Sequence, residues 1–322
     1  MKILVTGGAG FIGSNLIARL LKDKGATVIS VDDFNDYYAP EKKLRNIEPF
    51  ISNPNFKSYK ANICDFEDMN KIFVQEKPDV VAHLAGRAGV RESITYPTLY
   101  ESVNLGGTVN MLELAHQHKV KNFVFASSSS VYGDSREVPF SETAKTDEPV
   151  SLYAATKKAG EALCYSYHKL HGLPITCLRF FTVYGPGGRP DMAPYKFTKC
   201  IAEGLTLPKY GDGTTQRDYT YIDDIVQGIM AAIEKKLPFA IINLGNSATI
   251  SLNDFIALIE RLLGKKAKID QMPSQPGDVE ITYADNARAK ELLGYEPTTS
   301  IEEGMKKFIK WYEQNETASS QN

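Results

Sequence analysis

Short apolar runs alternate along the chain with segments whose apolar residues recur at helical spacing. The run Ile3-Leu-Val ends in Thr6-Gly7-Gly8-Ala-Gly10-Phe11-Ile12-Gly13, after which Leu16, Ile17, Leu20 and Leu21 share one helical face. That order predicts a strand, a tight glycine turn and a helix. A second strand at Thr27–Val31 ends at Asp32. It is followed by a strand at Phe56–Lys60, a helix near Phe66–Gln75, a buried strand at Val80–Leu84, an amphipathic helix from Leu99 to His118 and a strand at Asn122–Ala126. Strands alternating with helices predict an α/β fold with a parallel, doubly wound sheet. Ligands of such sheets lie beyond the carboxyl ends of the strands, which selects the loops Asn62–Asp65, Ala85–Ser93 and Ser127–Gly133.

The second half keeps helical stripes but gains turn-rich loops. A strand at Ile175–Phe181 leads into a Gly/Pro-dense loop, Thr182–Ala193, and a second such loop runs from Tyr210 to Asp224. Ser251-x-x-Asp254 is a capping pattern ahead of Phe255, Ile256, Ile259, Leu262 and Leu263, and Ile301, Met305, Phe308 and Tyr312 make a last stripe. Both helices read as packing. The expected division is a first domain over 1–180, to which part of 220–250 returns, a smaller interleaved α/β lobe over 181–316, and a disordered tail over 317–322.

Composition narrows the function. The 322 residues carry 37 basic and 39 acidic side chains, a formal charge of −2 without long single-sign runs, so no nucleic-acid surface is indicated. No apolar run approaches the ~20 residues of a membrane helix, and the start does not read as a secretory signal, so a cytoplasmic protein is expected. Cys64, Cys164, Cys177 and Cys200 form no C-x-x-C pair and read as reduced and packed. His116 and His118 diverge on a helix, and no ligand spacing implies a metal. His83, inside an apolar strand, reads as a core histidine.

The candidate chemistry starts at the glycine turn. Glycines let the backbone approach a pyrophosphate, whose charge the helix start favours. Asp32, about 20 positions on, is placed to accept from adenosine ribose hydroxyls and would repel a 2′-phosphate, which points to NAD rather than NADP. Tyr153 and Lys157, four apart on a helix, project from one face; an ammonium beside a phenol favours the phenolate and makes it a proton acceptor. Ser127-Ser-Ser-Ser130 ends a strand at the mouth of the site and has no His/Asp partner for acylation, so it reads as a set of hydroxyls that bind a substrate oxygen. Arg217, in a Gly-rich loop, suits a diphosphate; its plainer reading is a pair with Asp218.

Together, Thr6–Gly13, Asp32, Ser127–Gly133 and Tyr153-x-x-x-Lys157 resemble the extended short-chain dehydrogenase/reductases, over nearly the whole chain to about Tyr312. Within them the likeness is to nucleotide-sugar epimerases, whose sheet is of Rossmann type. The resemblance implies Tyr153 as base, Lys157 as the residue that holds the nicotinamide ribose and lowers the tyrosine pKa, and Ser128 as the hydroxyl on the reacting sugar oxygen. It implies NAD contacts from Gly7, Gly10, Phe11, Ile12, Gly13, Asp32, Asn62, Ile63, Leu84, Ala85, Asn104, Tyr153 and Lys157. Dehydratases of the family carry Thr-Asp-Glu before Val-Tyr-Gly, and UDP-glucuronate decarboxylases carry Glu where Ser130 stands; neither carboxyl is present here. Thr182-Val-Tyr-Gly-Pro-Gly-Gly-Arg-Pro-Asp-Met-Ala193 and Val31–Tyr38 look like the UDP-glucuronate 4-epimerases, and Gln275 stands where galactose epimerases commonly place an Arg. The implied reaction is C4 epimerisation of a UDP-hexuronic acid, a UDP-sugar substrate held by Arg91, Ser129, Ser130, Thr182, Arg189, Arg217 and Asp278. A UDP-glucose/UDP-galactose 4-epimerase and a non-catalytic NAD-binding regulatory protein stay open beside it. A homodimer through Leu99–His118 and Ser151–Leu170 is implied too. Asn62, where an Asp often meets the adenine, and Gly86-Arg87 depart from the usual pattern.

Overall fold

A computed structural model describes residues 1–23, 25–274 and 279–316. Its centre is a seven-stranded parallel sheet built from β1 (Lys2–Thr6), β2 (Thr27–Asp32), β3 (Phe56–Lys60), β4 (Val80–His83), β5 (Asn122–Ser128), β6 (Ile175–Phe180) and a last strand, Phe239–Leu244. The order across the sheet is Phe239–Leu244, β6, β5, β4, β1, β2, β3, so the winding reverses between β1 and β4. In doubly wound sheets the ligand crevice lies at such a reversal, outside the carboxyl ends of both strands.

Alternation along each strand explains the two layers of helices. Ile3 and Val5 of β1 join a core shared with helix α1 (Phe11–Asp23) and the helix Ile222–Lys235, while Leu4 packs on the other face with Phe73, Met111 and Leu112. A strand buried on both faces has no polar side, which is why the runs read as continuously apolar. The helix Leu152–His171 lies close on β5: a Cβ at Gly160 would stand 2.5 Å from the Phe125 ring. Its start is capped by Ser151, which accepts from Ala154 N at 3.1 Å, and it ends at Gly172 in the left-handed region.

The helix expected over 99–118 is broken. Pro97–Glu101 is a short helix, Ser102–Gly106 a π-helical turn, and Gly107–Gln117 a separate helix. The wider turn presents Asn104, whose amide takes up the backbone of Arg87: Oδ1 accepts from Arg87 N at 2.7 Å and Nδ2 donates to Arg87 O at 3.0 Å. Apolar periodicity carries no record of such an insertion. Gly107 then packs on Ile63, whose side chain lies 2.6 Å from where a Cβ would stand.

Beyond β6 the chain adds small two-stranded sheets, pairing Thr182–Tyr184 with Tyr219–Tyr221, Gln216–Arg217 with Ile250–Ser251, and Thr206–Tyr210 with Lys268–Met272. Ser251 caps its helix as the sequence pattern indicates, accepting from Asp254 N at 3.1 Å. Cys164, Cys177 and Cys200 are buried, but Cys64, expected to be packed, is exposed, because its loop after β3 turns outward. Among the described residues no helix is long and apolar enough to cross a membrane, and no three His, Cys, Asp or Glu side chains gather as metal ligands.

Candidate active site

The glycine turn leaves no room for side chains. Gly7 adopts φ +68°, and a Cβ there would stand 2.9 Å from Ala85 N and 3.2 Å from the Leu84 carbonyl carbon; one at Gly13 would stand 2.8 Å from Gly8 Cα. Leu84 N donates to Thr6 O at 3.2 Å and Ala85 N to Thr6 Oγ1 at 3.1 Å, so the ends of β1 and β4 close on each other. At Gly10 a Cβ would meet only Gly7 O, at 3.1 Å. The bare backbone at the start of α1 therefore faces open space, where a dinucleotide's diphosphate can approach. Phe11 is buried and Ile12 half-buried behind the turn.

Asp32 closes the end of β2 as the alternation predicts. Its carboxylate accepts from Ala9 N at 3.2 Å and Phe34 N at 2.9 Å. Lys43, which the sequence analysis passed over, lies 3.5 Å from Asp32 and 3.9 Å from Asp33, buried on the helix Pro40–Ile47. Burial pushes the Asp32 pKa up and the Lys43 charge holds it down. One lysine against two carboxylates leaves one formal negative charge, which still disfavours a 2′-phosphate. Asn62 is exposed and turns its Oδ1 to Cys64 N at 2.9 Å, while Ile63 is buried.

Tyr153 and Lys157 stand on the helix over β5, next to Ser128 at that strand's end. Tyr153 lies beside Ser128, whose hydroxyl lowers its pKa, and meets Tyr100 edge-to-face, ring centroids 6.3 Å apart. Ser130 donates to Ser128 Oγ through its amide at 3.2 Å and its hydroxyl at 2.9 Å, which fixes the turn Ser129–Tyr132. Lys157 is buried, donates to Ala126 O at 2.8 Å and sits 5.3 Å from the Phe125 ring centroid. Gly86 gives it space, since a Cβ there would lie 3.3 Å from Nζ and 3.0 Å from Asn104 Oδ1. The departure from the usual residue at Gly86 is therefore a close approach.

Burial raises the Tyr153 pKa, and the Ser128 hydroxyl and the charge of Arg189 hold it down; Lys157 donates to the Ala126 carbonyl. Arg189 is held by Asp191, at 3.0 and 2.6 Å, and stacks 5.2 Å from the Tyr37 ring centroid. Tyr37 and Tyr100 both donate to Ala88 O, at 2.8 and 2.5 Å, and Arg87 also lies over Tyr37, at 5.7 Å. An aromatic wall from Tyr37 to Tyr100 thus joins the loop after β4 to the one bearing Arg189. The motif Asp36-Tyr-Tyr was in view, but nothing local shows that Tyr37 meets a residue 152 positions away.

The substrate-side residues lie around this edge. Thr182 is half-buried, two residues past Phe180, the partner of Ser128 in the β5–β6 register. Arg91 is exposed, 5.2 Å from the Tyr210 ring centroid. Arg217 does not pair with Asp218. It donates to Gln216 O at 2.8 Å, and Asp218 is buried, accepting from Asn246 N at 2.8 Å, Ser247 N at 3.0 Å and Ala284 N at 3.2 Å. Gln275 and Asp278 lie outside the described residues. His83 is a core residue between Thr6 and Thr108, at 2.8 and 3.1 Å, and burial lowers its pKa to about 3.

Residues 4–308 match the family described as GDP-mannose 4,6 dehydratase. A UDP-glucuronate 4-epimerase of Thermodesulfobacterium geofontis (strain OPF15) is 46% identical over 313 residues, 97% of this chain and 96% of that protein. UDP-glucuronate 4-epimerase 4 of Arabidopsis thaliana is 44% identical over 329 residues, 96% of this chain and 75% of that protein. The crystal structure of UDP-glucuronic acid 4-epimerase from Bacillus cereus in complex with UDP-glucuronic acid and NAD matches with a TM-score of 0.92 at 39% identity, covering 98% of this chain and 99% of that one.

Burial lowers the Lys157 pKa to about 8. Its folded value lies below the unfolded one, about 10.4, so the native state binds fewer protons between them. The contribution to stability is therefore complete above the unfolded value and lost as pH falls through 8. In urea unfolding, the wild type should gain stability relative to Lys157→Met as pH rises from 8 to 10; parallel pH profiles for the two proteins would refute this.

Proposed function

We propose an activity on the premise that the chain belongs to the GDP-mannose 4,6 dehydratase family, among the extended short-chain dehydrogenase/reductases: NAD-dependent epimerisation of UDP-glucuronate at C4, to UDP-galacturonate. The observation that carries it is the meeting of Tyr153 with Ser128 at the strand end beside an open glycine turn. UDP-glucuronate 4-epimerases match over almost the full length of the chain, and Ser129 and Ser130 leave no carboxyl where a dehydratase or decarboxylase needs one.

NAD suits the residues present: the diphosphate on the turn Gly7–Gly13, the adenosine ribose at Asp32, the adenine near Asn62 and Ile63, and the nicotinamide half along Leu84, Ala85, Asn104, Tyr153 and Lys157. When bound, it accepts a hydride from C4 and returns it. Ser128 holds the 4-oxygen by a hydrogen bond, and Tyr153 takes its proton as a general base, then gives it back. The positive charge of Arg189 favours the phenolate form of Tyr153. The 4-keto sugar turns over in the cleft about its diphosphate, anchored by Arg217 with Arg91, and presents its other face.

A 4-ketouronate is a β-keto acid and loses CO2 when the carboxylate bond aligns with the carbonyl π system. Ser129, Ser130 and Thr182 hold the carboxylate out of that alignment, with Arg189 near the same edge. The chain forms a homodimer through the helices Gly107–Gln117 and Leu152–His171, whose outward positions include Val109, Tyr165 and Leu170, the last 75% exposed.

Four measurements test this reading. Incubated with UDP-glucuronate, UDP-glucose and UDP-galactose in D2O and followed by NMR, the protein should invert C4 of the uronate without deuterium at that carbon. Tyr153→Phe should be about 10²–10⁴-fold slower, the span typical of a lost general base. Turnover of the neutral sugars alone, or label at C4, would overturn it. Thr182→Val should slow epimerisation or release a UDP-pentose; unchanged kinetics without pentose would remove Thr182 from the site. Light scattering should give the mass of two chains, against the 35.7 kDa of one.

A further inference from the structure

The chemistry proposed above leaves unused a buried pair of opposite charges beside the strand end that carries Ser128. Arg179 on β6 is 1% exposed, and Glu161, on the same helix as Tyr153 and Lys157, is 2% exposed. Their bond is two-pronged: Arg179 Nε donates to Glu161 Oε1 and Nη2 to Oε2, both at 2.8 Å. Ser127 donates to Glu161 Oε1 at 2.6 Å, and in the strand register Ser127 stands opposite Arg179. On its other side the guanidinium lies 4.8 Å from the ring centroid of Tyr132. Tyr132 donates to Asn243 Oδ1 at 2.7 Å, and Asn243 donates to Phe140 O at 2.8 Å.

Ser127 immediately precedes Ser128, and Tyr132 lies two residues past Ser130 at the end of the turn Ser129–Tyr132. The ion pair therefore grips both ends of that turn and ties it to the helix that carries Tyr153. Two charges removed from water gain little net stability over an apolar pair of similar volume. What they supply that an apolar pair does not is direction, through bidentate geometry. We infer, resting on the epimerase reading, that Glu161 and Arg179 are positioning residues: they form a clamp that sets the Ser128 hydroxyl against Tyr153.

The test compares Ser127→Ala, the charge-free pair Glu161→Leu/Arg179→Met, and the triple variant, each checked for folding by circular dichroism and for bound NAD. In hydrogen-exchange mass spectrometry, amides of the turn at 129–133 should exchange faster in the variants while the helix Leu252–Leu263 keeps its protection. With UDP-glucuronate, kcat should fall on the order of tenfold with KM unchanged, since a misplaced group outside the binding contacts slows the reacting geometry. The triple variant should lose no more than the double, because the parts act as one unit. Should the charge-free pair fail to fold, Ser127→Ala decides alone. Unchanged exchange at the turn, or multiplying losses in kcat, would overturn the clamp. Faster exchange at the turn in the variants, with no turnover of UDP-glucuronate by the wild type, would leave the clamp standing and remove the epimerase reading instead.

Discussion

The architecture depends on one steric condition, the closure of the turn after β1 against the end of β4. At Gly7, Gly8 and Gly13 a side chain would collide with backbone or with a buried residue, and only their absence lets the start of α1 descend beside Leu84 and Ala85. Thr6 completes the joint, through its carbonyl to Leu84 and its hydroxyl to Ala85 and His83. Because β1 lies at the reversal of the winding, this joint forms the floor of the crevice. The loops after β2, β4 and β5 are then rims of the same opening, and the residues they carry meet although they are far apart in sequence.

Much of this was legible because it is periodic or local. Apolar alternation marked the first strands and helices, the glycine spacing marked the turn, and Tyr153 and Lys157 were found by their helical interval. What escaped was long-range. Lys43 looks like any exposed lysine in its own helix, and only the folded chain brings it to Asp32. Arg179 did carry a signal, a charge inside the strand Ile175–Phe180, which demands a buried counter-charge; Glu161 is one turn from Lys157 on the face that meets the sheet. The π-turn at Ser102–Gly106 left no trace in the apolar pattern, since it changes the phase of the helix to serve Asn104.

The helix Leu152–His171 illustrates how a functional surface departs from an ordinary packing face. Its buried side carries Lys157 and Glu161 among small residues such as Ala154 and Gly160, where a core helix would place leucines. Each charge is satisfied by the edge of the sheet, Lys157 by the Ala126 carbonyl and Glu161 by Arg179 and Ser127. The helix is thereby fixed in rotation as well as in depth, which apolar contacts alone do less sharply.

The late strand Phe239–Leu244 has a consequence for how the chain is made. It covers β6, yet it emerges about 60 residues after that strand, and Asp218 finds its last partner at Ala284. Until then a growing chain presents β6 as a bare parallel edge next to a sheet already able to assemble, the kind of edge that pairs with strangers. The helix Ile222–Lys235, packed in the same core as α1, precedes that strand directly and delivers it to the edge. Biogenesis of this protein is therefore tied to the completion of its C-terminal half, and the interleaving that builds the cleft also sets when the nascent sheet becomes safe from aggregation.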